Sequence, residues 1–235
     1  MRSSPRLQRT YERWRVSSLG ARTEAIEHAL IFDLLGSVTG CRLLDVGCGD
    51  GTLTAAFANA GAEVLGIDRC SSIVERAIIV APDADFVIAD VQSLPFPDAH
   101  FDVVVVNTVL CLVEDRRAAV AEAMRVLRPG GRLVLGELGR WSLWALKRRI
   151  KGIFGSEMWR RSRFSDARSL TAELVDAGLR VHVVRAAIFY PPFGWTARLM
   201  ASIDPCLGRY TTIGAAYLAV AATKPYSSGM DRDDH

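Results

Sequence analysis

No stretch of this 235-residue chain reaches the roughly 18 uninterrupted apolar residues that a membrane-spanning helix requires. Residues 1–15, MRSSPRLQRTYERWR, carry no apolar segment of the secretory type, and the expectation is a cytoplasmic protein. Cysteine is scarce: the five residues at positions 41, 48, 70, 111 and 206 form no CxxC pair, and an odd number makes a poor disulfide framework. Free thiols are expected, and with no converging thiols or other ligand spacing, no metal site is assigned. Histidine is rarer still, with four residues at 28, 100, 182 and 235, none in a recognisable catalytic motif. Excess charge is also lacking, since a formal net charge of +3 does not point to a nucleic-acid partner. What is present is a half-hydrophobic chain, 50% by residue with 23% charged, which suits one domain with a sizeable core.

Periodicity organises that core. From Thr23 to Leu35 the apolar positions Ile26, Ala29, Leu30 and Leu34 keep a helical spacing, with Gly36 where a C-terminal cap belongs. A strand and helix alternation follows: RLLDV, a helix with Leu53, Ala56, Phe57 and Ala60 on one face, EVLGID, and a helix opened by Ser72 and Glu75 at capping-box spacing. DFVIAD is a third strand, and FDVVVV is a fourth, apolar on both faces as a covered strand must be. Helix 115–127 then runs into RPGG, and RLVLGEL is a fifth strand. Such alternation implies a doubly wound α/β fold, with helices on both faces of a parallel sheet. A helix near 166–177, a strand in LRVHVVRAAIFY, a helical insertion over 193–210 and a final strand in GAAYLAVAATK complete the pattern. The tail SSGMDRDDH, residues 227–235, has little to bury and is expected to be disordered.

The segment LLDVGCGDGTLTAAFANAGAEVLGID carries the most specific signal. A glycine turn after the first strand of an open parallel sheet lets a ligand approach the backbone. The nicotinamide fingerprint is GxGxxG and lays a pyrophosphate over the turn. Here the pattern is DxGxGxG, with Asp45 at the strand end and Asp50 in the loop. Those carboxylates repel a pyrophosphate and attract a ligand carrying an ammonium and a sulfonium.

On these residues, and on ADVQSLPFPDAHFDVV, VVVNTVLCLVED and VLRPGGRLVLGE, the region from about 40 to 138 resembles the class I S-adenosylmethionine-dependent methyltransferases, in the branch of the ubiquinone and menaquinone biosynthesis enzymes. The resemblance implies a Rossmann-like seven-stranded sheet, mostly parallel with an antiparallel last strand, and S-adenosylmethionine as cofactor. It implies that Asp45 helps hold the amino-acid end and that the turn of Gly47, Cys48, Gly49 and Gly51 lies against the cofactor. By the same resemblance Asp68, with Arg69 beside it, takes the ribose hydroxyls, Asp90 and Val91 meet the adenine, and Asn107 lines the methionine portion. The implied organisation is an N-terminal helical cap (1–40) and a methyltransferase domain (41–226) with cap insertions at about 140–165 and 193–210. An NAD(P)-dependent oxidoreductase and a non-catalytic cofactor-binding protein are the competing readings.

No general base is assigned. Related sequences often carry a histidine pair after strand four, where this chain has Leu110, Cys111, Leu112 and Val113. Tyr11, Trp14, Cys111, Trp141 and Trp144 are candidate substrate contacts, and the aromatic character of the tyrosine and tryptophans suits a small apolar or ring-bearing acceptor. Residues 140–163 hold eight lysines and arginines against one acid, Glu157. A solvated helix face, a helix in peripheral contact with a membrane carrying a lipid or quinone acceptor, and a lure for an anionic acceptor all satisfy that pattern. Oligomeric state is not legible.

Overall fold

Apolar runs and periodic segments resolve into one seven-stranded sheet flanked by helices in the computed structural model, which describes Trp14, residues 17–200 and residues 203–226. The strands are β1 (Arg42–Val46), β2 (Glu63–Asp68), β3 (Asp85–Ile88), β4 (Phe101–Asn107), β5 (Leu127–Leu138), β6 (Arg180–Ala187) and β7 (Tyr217–Thr223). Their order is β3-β2-β1-β4-β5-β7-β6. β1 to β5 are parallel neighbours, while β7 runs antiparallel to both β5 and β6. The helices are α1 (Ser18–Leu35), α2 (Thr52–Asn59), α3 (Ser71–Val80), α4 (Arg116–Val126), α5 (Leu143–Ile153), α6 (Glu157–Arg161), α7 (Ala167–Asp176), α8 (Gly194–Met200) and α9 (Asp204–Tyr210).

Alternation along the strands feeds two cores. Leu43, Val103, Val105 and Val134 face α1 and α2, where they meet Ile31, Leu35, Leu53 and Phe57. Leu44, Val104, Val106 and Leu135 face the other way, onto Val120 and Ala123 of α4 and Leu170 and Leu174 of α7. A third cluster joins Trp144, Tyr190, Ala197 and Tyr217, with Trp14, Leu19 and Ile26 packed against it.

Three local readings are corrected. α1 begins at Ser18, ahead of Thr23, because the Ser17 hydroxyl accepts the Gly20 N–H at 3.1 Å and caps the helix there. α3 has no capping box; it opens after Cys70, whose N–H is taken by the Asp68 carboxylate at 2.9 Å, so Ser72 already lies in the first turn. Leu127 belongs to β5 instead of the helix before it. The pairing jumps from Phe101↔Leu127 to Val103↔Arg132, which loops out the RPGG segment, and Gly130 donates to the Lys224 carbonyl at 2.8 Å. The 193–210 insertion consists of α8 and α9. Tyr11 and the tail 227–235 lie outside the described residues.

Candidate functional site

Parallel strands finish at one edge, so Asp45 of β1, Asp68 of β2, Asp90 just past β3 and Asn107 of β4 all reach the same side of the sheet. The glycine turn wraps that edge. Gly47, Gly49 and Gly51 take φ values of 70°, 56° and 85°, a left-handed region that glycine enters without steric cost. The three glycines have different neighbours. A Cβ on Gly47 would lie 2.2 Å from Val109 Cγ2, one on Gly51 would lie 3.0 Å from the Ala77 backbone of α3, and one on Gly49 would meet nothing within 4 Å. Gly49 therefore borders open space, whereas Gly51 lets α2 and α3 approach each other.

That space is a cavity of about 700 Å³, counting the part open to solvent. Of the candidate cofactor residues, Asp45, Gly47, Cys48, Gly49 and Asn107 line it. Gly51, Asp68, Arg69, Asp90 and Val91 share the edge but stand outside its walls, and the Val91 side chain is in the core. Asp68 accepts backbone N–H groups from Gly49, Arg69 and Cys70, which ties the turn to the end of β2. Asp90 is exposed and accepts the Gln92 N–H at 3.0 Å.

Asp45 is buried, and its Oδ2 accepts the Thr54 hydroxyl at 2.6 Å. Burial pushes its pKa up to about 6, the Thr54 hydrogen bond pulls it down, and Asp68 adds a smaller upward push. Burial first, then Asp45 and Asp68, push the Cys48 thiol far up, so this cysteine has no thiolate character near neutrality. Asn107 Oδ1 accepts the Tyr217 hydroxyl at 2.9 Å, reaching across β5 at Gly136, where any Cβ would strike the same hydroxyl. The next residue, Thr108, also lines the cavity and is held at φ 54°, a strained conformation for a β-branched residue.

Several lining residues were not singled out from sequence: Glu24 and His28 of α1, Thr52 and Leu53 of α2, Ile73 and Arg76 of α3, and Thr108. His28 Nε2 sits 3.9 Å from Glu24 Oε1, one helical turn away. That i, i+4 pair on the helix preceding the first strand is the signal that could have located them.

The candidate substrate residues do not gather at this cavity. Trp144 is buried, donates its indole N–H to the Tyr190 carbonyl at 2.9 Å and packs edge-on against Trp14 at 6.3 Å between ring centroids. Trp141 is exposed. Cys111 is buried, donates its Sγ–H to the Thr108 carbonyl at 3.2 Å and is raised well above the usual thiol range, by burial first and then by Glu137. Glu137, fully buried on β5, accepts the Cys111 backbone N–H at 3.2 Å and lies 3.5 Å from Arg116 Nη1. Arg116 also holds Glu173 through 2.7 and 3.0 Å bonds. Burial pushes Glu137 up to about 7, against the opposing pull of Arg116.

An open sheet of this order, ending in an acidic glycine turn over a cavity, defines the class I fold of the S-adenosylmethionine-dependent methyltransferases. Residues 44–135 match the sequence model of a family described as a methyltransferase domain. Over 108 residues the chain is 39% identical to the demethylmenaquinone methyltransferase of Renibacterium salmoninarum, an alignment covering 46% of each. Over 105 residues it is 46% identical to the 27-O-demethylrifamycin SV methyltransferase of Amycolatopsis mediterranei, covering 42% of this chain and 39% of that one. The chain thus spans less than half the length of these relatives. A solved S-adenosylmethionine-dependent methyltransferase from Thermotoga maritima superposes with a TM-score of 0.73 at 21% identity, covering 93% of this chain and 96% of that one. The cyclase SpnF shares the fold at a TM-score of 0.62 and 23% identity, covering 85% of this chain and 81% of that one, so the fold alone does not select the chemistry. In motif order and matched region, residues 44–135 are similar to the class I methyltransferases, and among them to the quinone-biosynthesis enzymes.

S-adenosylmethionine is the cofactor of that class, and the donor set fits it. The ligand carries two cations and one carboxylate. The cavity wall offers three carboxylates, Glu24, Asp45 and Asp50, together with the basic side chains of His28 and Arg76, and Gly49 leaves open the volume a side chain would fill.

Proposed function

We propose that this protein is a methyltransferase acting on a small, largely apolar organic acceptor. The observation that carries the reading is the buried Asp45 behind a glycine turn that also bears Asp50, beside a cavity at the carboxyl edge of the sheet. Negative charge there favours a cationic sulfur nucleoside and opposes a pyrophosphate, which argues against the dinucleotide-dependent alternative.

S-adenosylmethionine, when bound, supplies a methyl group already activated by its sulfonium. In this reading Asp45 and the backbone of Gly47, Cys48 and Gly49 hold the amino-acid end, and Asn107 flanks it. Asp68 takes the ribose hydroxyls, while Asp90 and the backbone at Val91 meet the adenine. The remaining work is alignment and exclusion of water. An oxygen or carbon acceptor also has a proton to lose, and His28 is the lining side chain whose ordinary pKa lies nearest neutrality. The two named relatives act, by their names, on a menaquinone precursor and a rifamycin, which supports a ring-bearing acceptor here.

Titration calorimetry with S-adenosylhomocysteine tests cofactor binding, and Asp68→Ala is expected to weaken it by about 2–4 kcal/mol through loss of two hydrogen bonds. A radiolabelled methyl donor offered with phenols, quinones, thiols and amines identifies the acceptor. His28→Ala is expected to lower kcat. Failure to bind S-adenosylhomocysteine, with binding of NADH in its place, overturns the proposal.

A further inference from the structure

Helix α5 has two apolar faces. Trp144, Ala145 and Gly152 point inward and are buried. At 100° per residue, Leu143, Leu146, Ile150 and Ile153 fall on the opposite side, and all four are exposed. Ile153 is 79% exposed, and the flanking Trp141 and Phe154 are 61% and 84% exposed. A solvated face would carry charge there, and an ordinary packed amphipathic helix would have turned its whole apolar surface to the core. Of the cations of the helix, Arg148 turns inward over the Trp144 and Trp159 rings, and the others border the outward stripe, with Lys147 and Lys151 on one side and Arg149 on the other.

We infer that α5 is a docking helix for an anionic phospholipid surface, with its outward stripe entering the acyl boundary and its basic borders meeting the headgroups. Three further observations support this occupant. The segment 140–163 has eight basic residues against one acid; Arg161 pairs with that acid, Glu157, at 2.7 Å, Arg140 pairs with Asp166 at 3.2 Å and Arg148 packs over two tryptophan rings, and the remaining five still form a basic excess. Partial burial first, and then the neighbouring cations Lys151 and Arg148, hold Lys147 below the usual lysine range, and those neighbouring cations add to the positive potential that an anionic surface meets. The apolar surface also continues beyond the helix. Trp144 bonds the Tyr190 carbonyl and Lys147 reaches the Pro192 carbonyl at 3.5 Å, tying α5 to a segment that leads into the exposed Phe193, Trp195 and Leu199. Aromatic side chains and basic stems are the groups that settle at a headgroup boundary. A second copy of this chain is disfavoured, because its stripe would bring the same cations face to face.

The helix backs onto the candidate site. Ala145 packs with Cys111 in one buried cluster, three residues beyond the cavity-lining Thr108. Docking through α5 would set that edge of the sheet toward the bilayer, where an apolar acceptor dissolves. Binding of α5 to a membrane surface does not depend on methyl transfer.

Co-sedimentation with vesicles of phosphatidylcholine, with and without phosphatidylglycerol, tests it. Wild-type protein is expected to pellet with the anionic vesicles at low salt and to be released as salt rises. Ile150→Asp with Ile153→Asp should reduce partitioning on the order of tenfold or more, and Lys147→Glu with Lys151→Glu should do the same. Unchanged melting and unchanged S-adenosylhomocysteine binding would show both variants to be folded. Wild-type protein remaining in the supernatant overturns the inference, as does partitioning indifferent to both pairs. So does a sedimentation-velocity dimer that the isoleucine pair dissociates without any vesicle binding, or capture by polyglutamate in place of vesicles.

Discussion

Thr54 Oγ1 donates to Asp45 Oδ2 at 2.6 Å, joining the first turn of α2 to the end of β1 inside the protein. The hydroxyl stabilises an ion that burial disfavours, and the two effects leave Asp45 with a pKa of about 6. Thr54→Val should therefore raise that value and weaken S-adenosylhomocysteine binding by about 1–2 kcal/mol. Asp45→Asn should lose more affinity while making the ligand-free protein more stable at pH 8, the trade expected of a carboxylate kept for a cation. Calorimetry and urea denaturation on the same preparations would measure both, and an Asn variant that binds normally would remove Asp45 from the site.

Two fully buried carboxyls lead the pH dependence of stability, and burial shifts Asp68 and Asp204 in the same direction. Asp45 goes from 3.8 unfolded to about 6 folded, and Glu137 goes from 4.5 to about 7. Between those values the folded chain binds more protons than the unfolded one, so stability falls as pH rises through the window. The full penalty, at most about 3 kcal/mol for each group, is present above it. Asp90 and Asp166 are shifted downward, Asp90 by the Gln92 backbone N–H and Asp166 by the Ser169 backbone N–H, and their contributions are lost only in stronger acid. The urea midpoint at pH 5 should exceed that at pH 8, and Asp45→Asn should narrow the difference. Equal midpoints would contradict this account.

The glycines of the turn should separate by what stands beside them. Gly47→Ala drives a methyl into Val109 from a positive-φ position and should cost several kcal/mol of stability, about 1–3 of them from backbone strain. Gly49→Ala meets open space, so it should carry the strain alone yet still reduce cofactor affinity, because its methyl occupies the cavity. Thermal melts with and without S-adenosylhomocysteine distinguish the two variants.

Arg116 faces a fully buried Glu137 on one side and Glu173 on the other. Arg116→Met leaves the Glu137 carboxylate without its cation and should destabilise the protein by about 3–5 kcal/mol at pH 8, less at pH 5 where Glu137 takes a proton. Adding Glu137→Gln should recover most of the loss, since the amide oxygen can still accept the Cys111 N–H. No recovery would mean that the Glu173 pair carries the stability.

Much of the fold was legible in the chain because its signals are local. The valine run of β4, the glycines Gly36, Gly61 and Gly178 after three of the helices and the DxGxGxG spacing each describe a few consecutive residues. Parallel topology then carries Asp45, Asp68, Asp90 and Asn107 to one edge without further information. Cap details were less legible: Ser72 and Glu75 had capping-box spacing, but Asp68, from the preceding strand, took the N–H that set where α3 begins. The aromatic candidates were harder still. Tryptophan at 14, 141 or 144 looks alike in sequence, and whether its ring lies in a core or in solvent depends on elements from across the chain.

The sequence alone determined the alternation of strands and helices, the acidic glycine turn and hence the kind of ligand that turn can hold, since these follow from neighbouring residues and backbone sterics. The tertiary structure decided which face of α5 meets water, which tryptophans are buried, and that Glu24 and His28 come to the cavity. Those outcomes depend on packing between segments tens of residues or more apart, where the contact that wins is the one burying the most apolar surface with its polar groups paired.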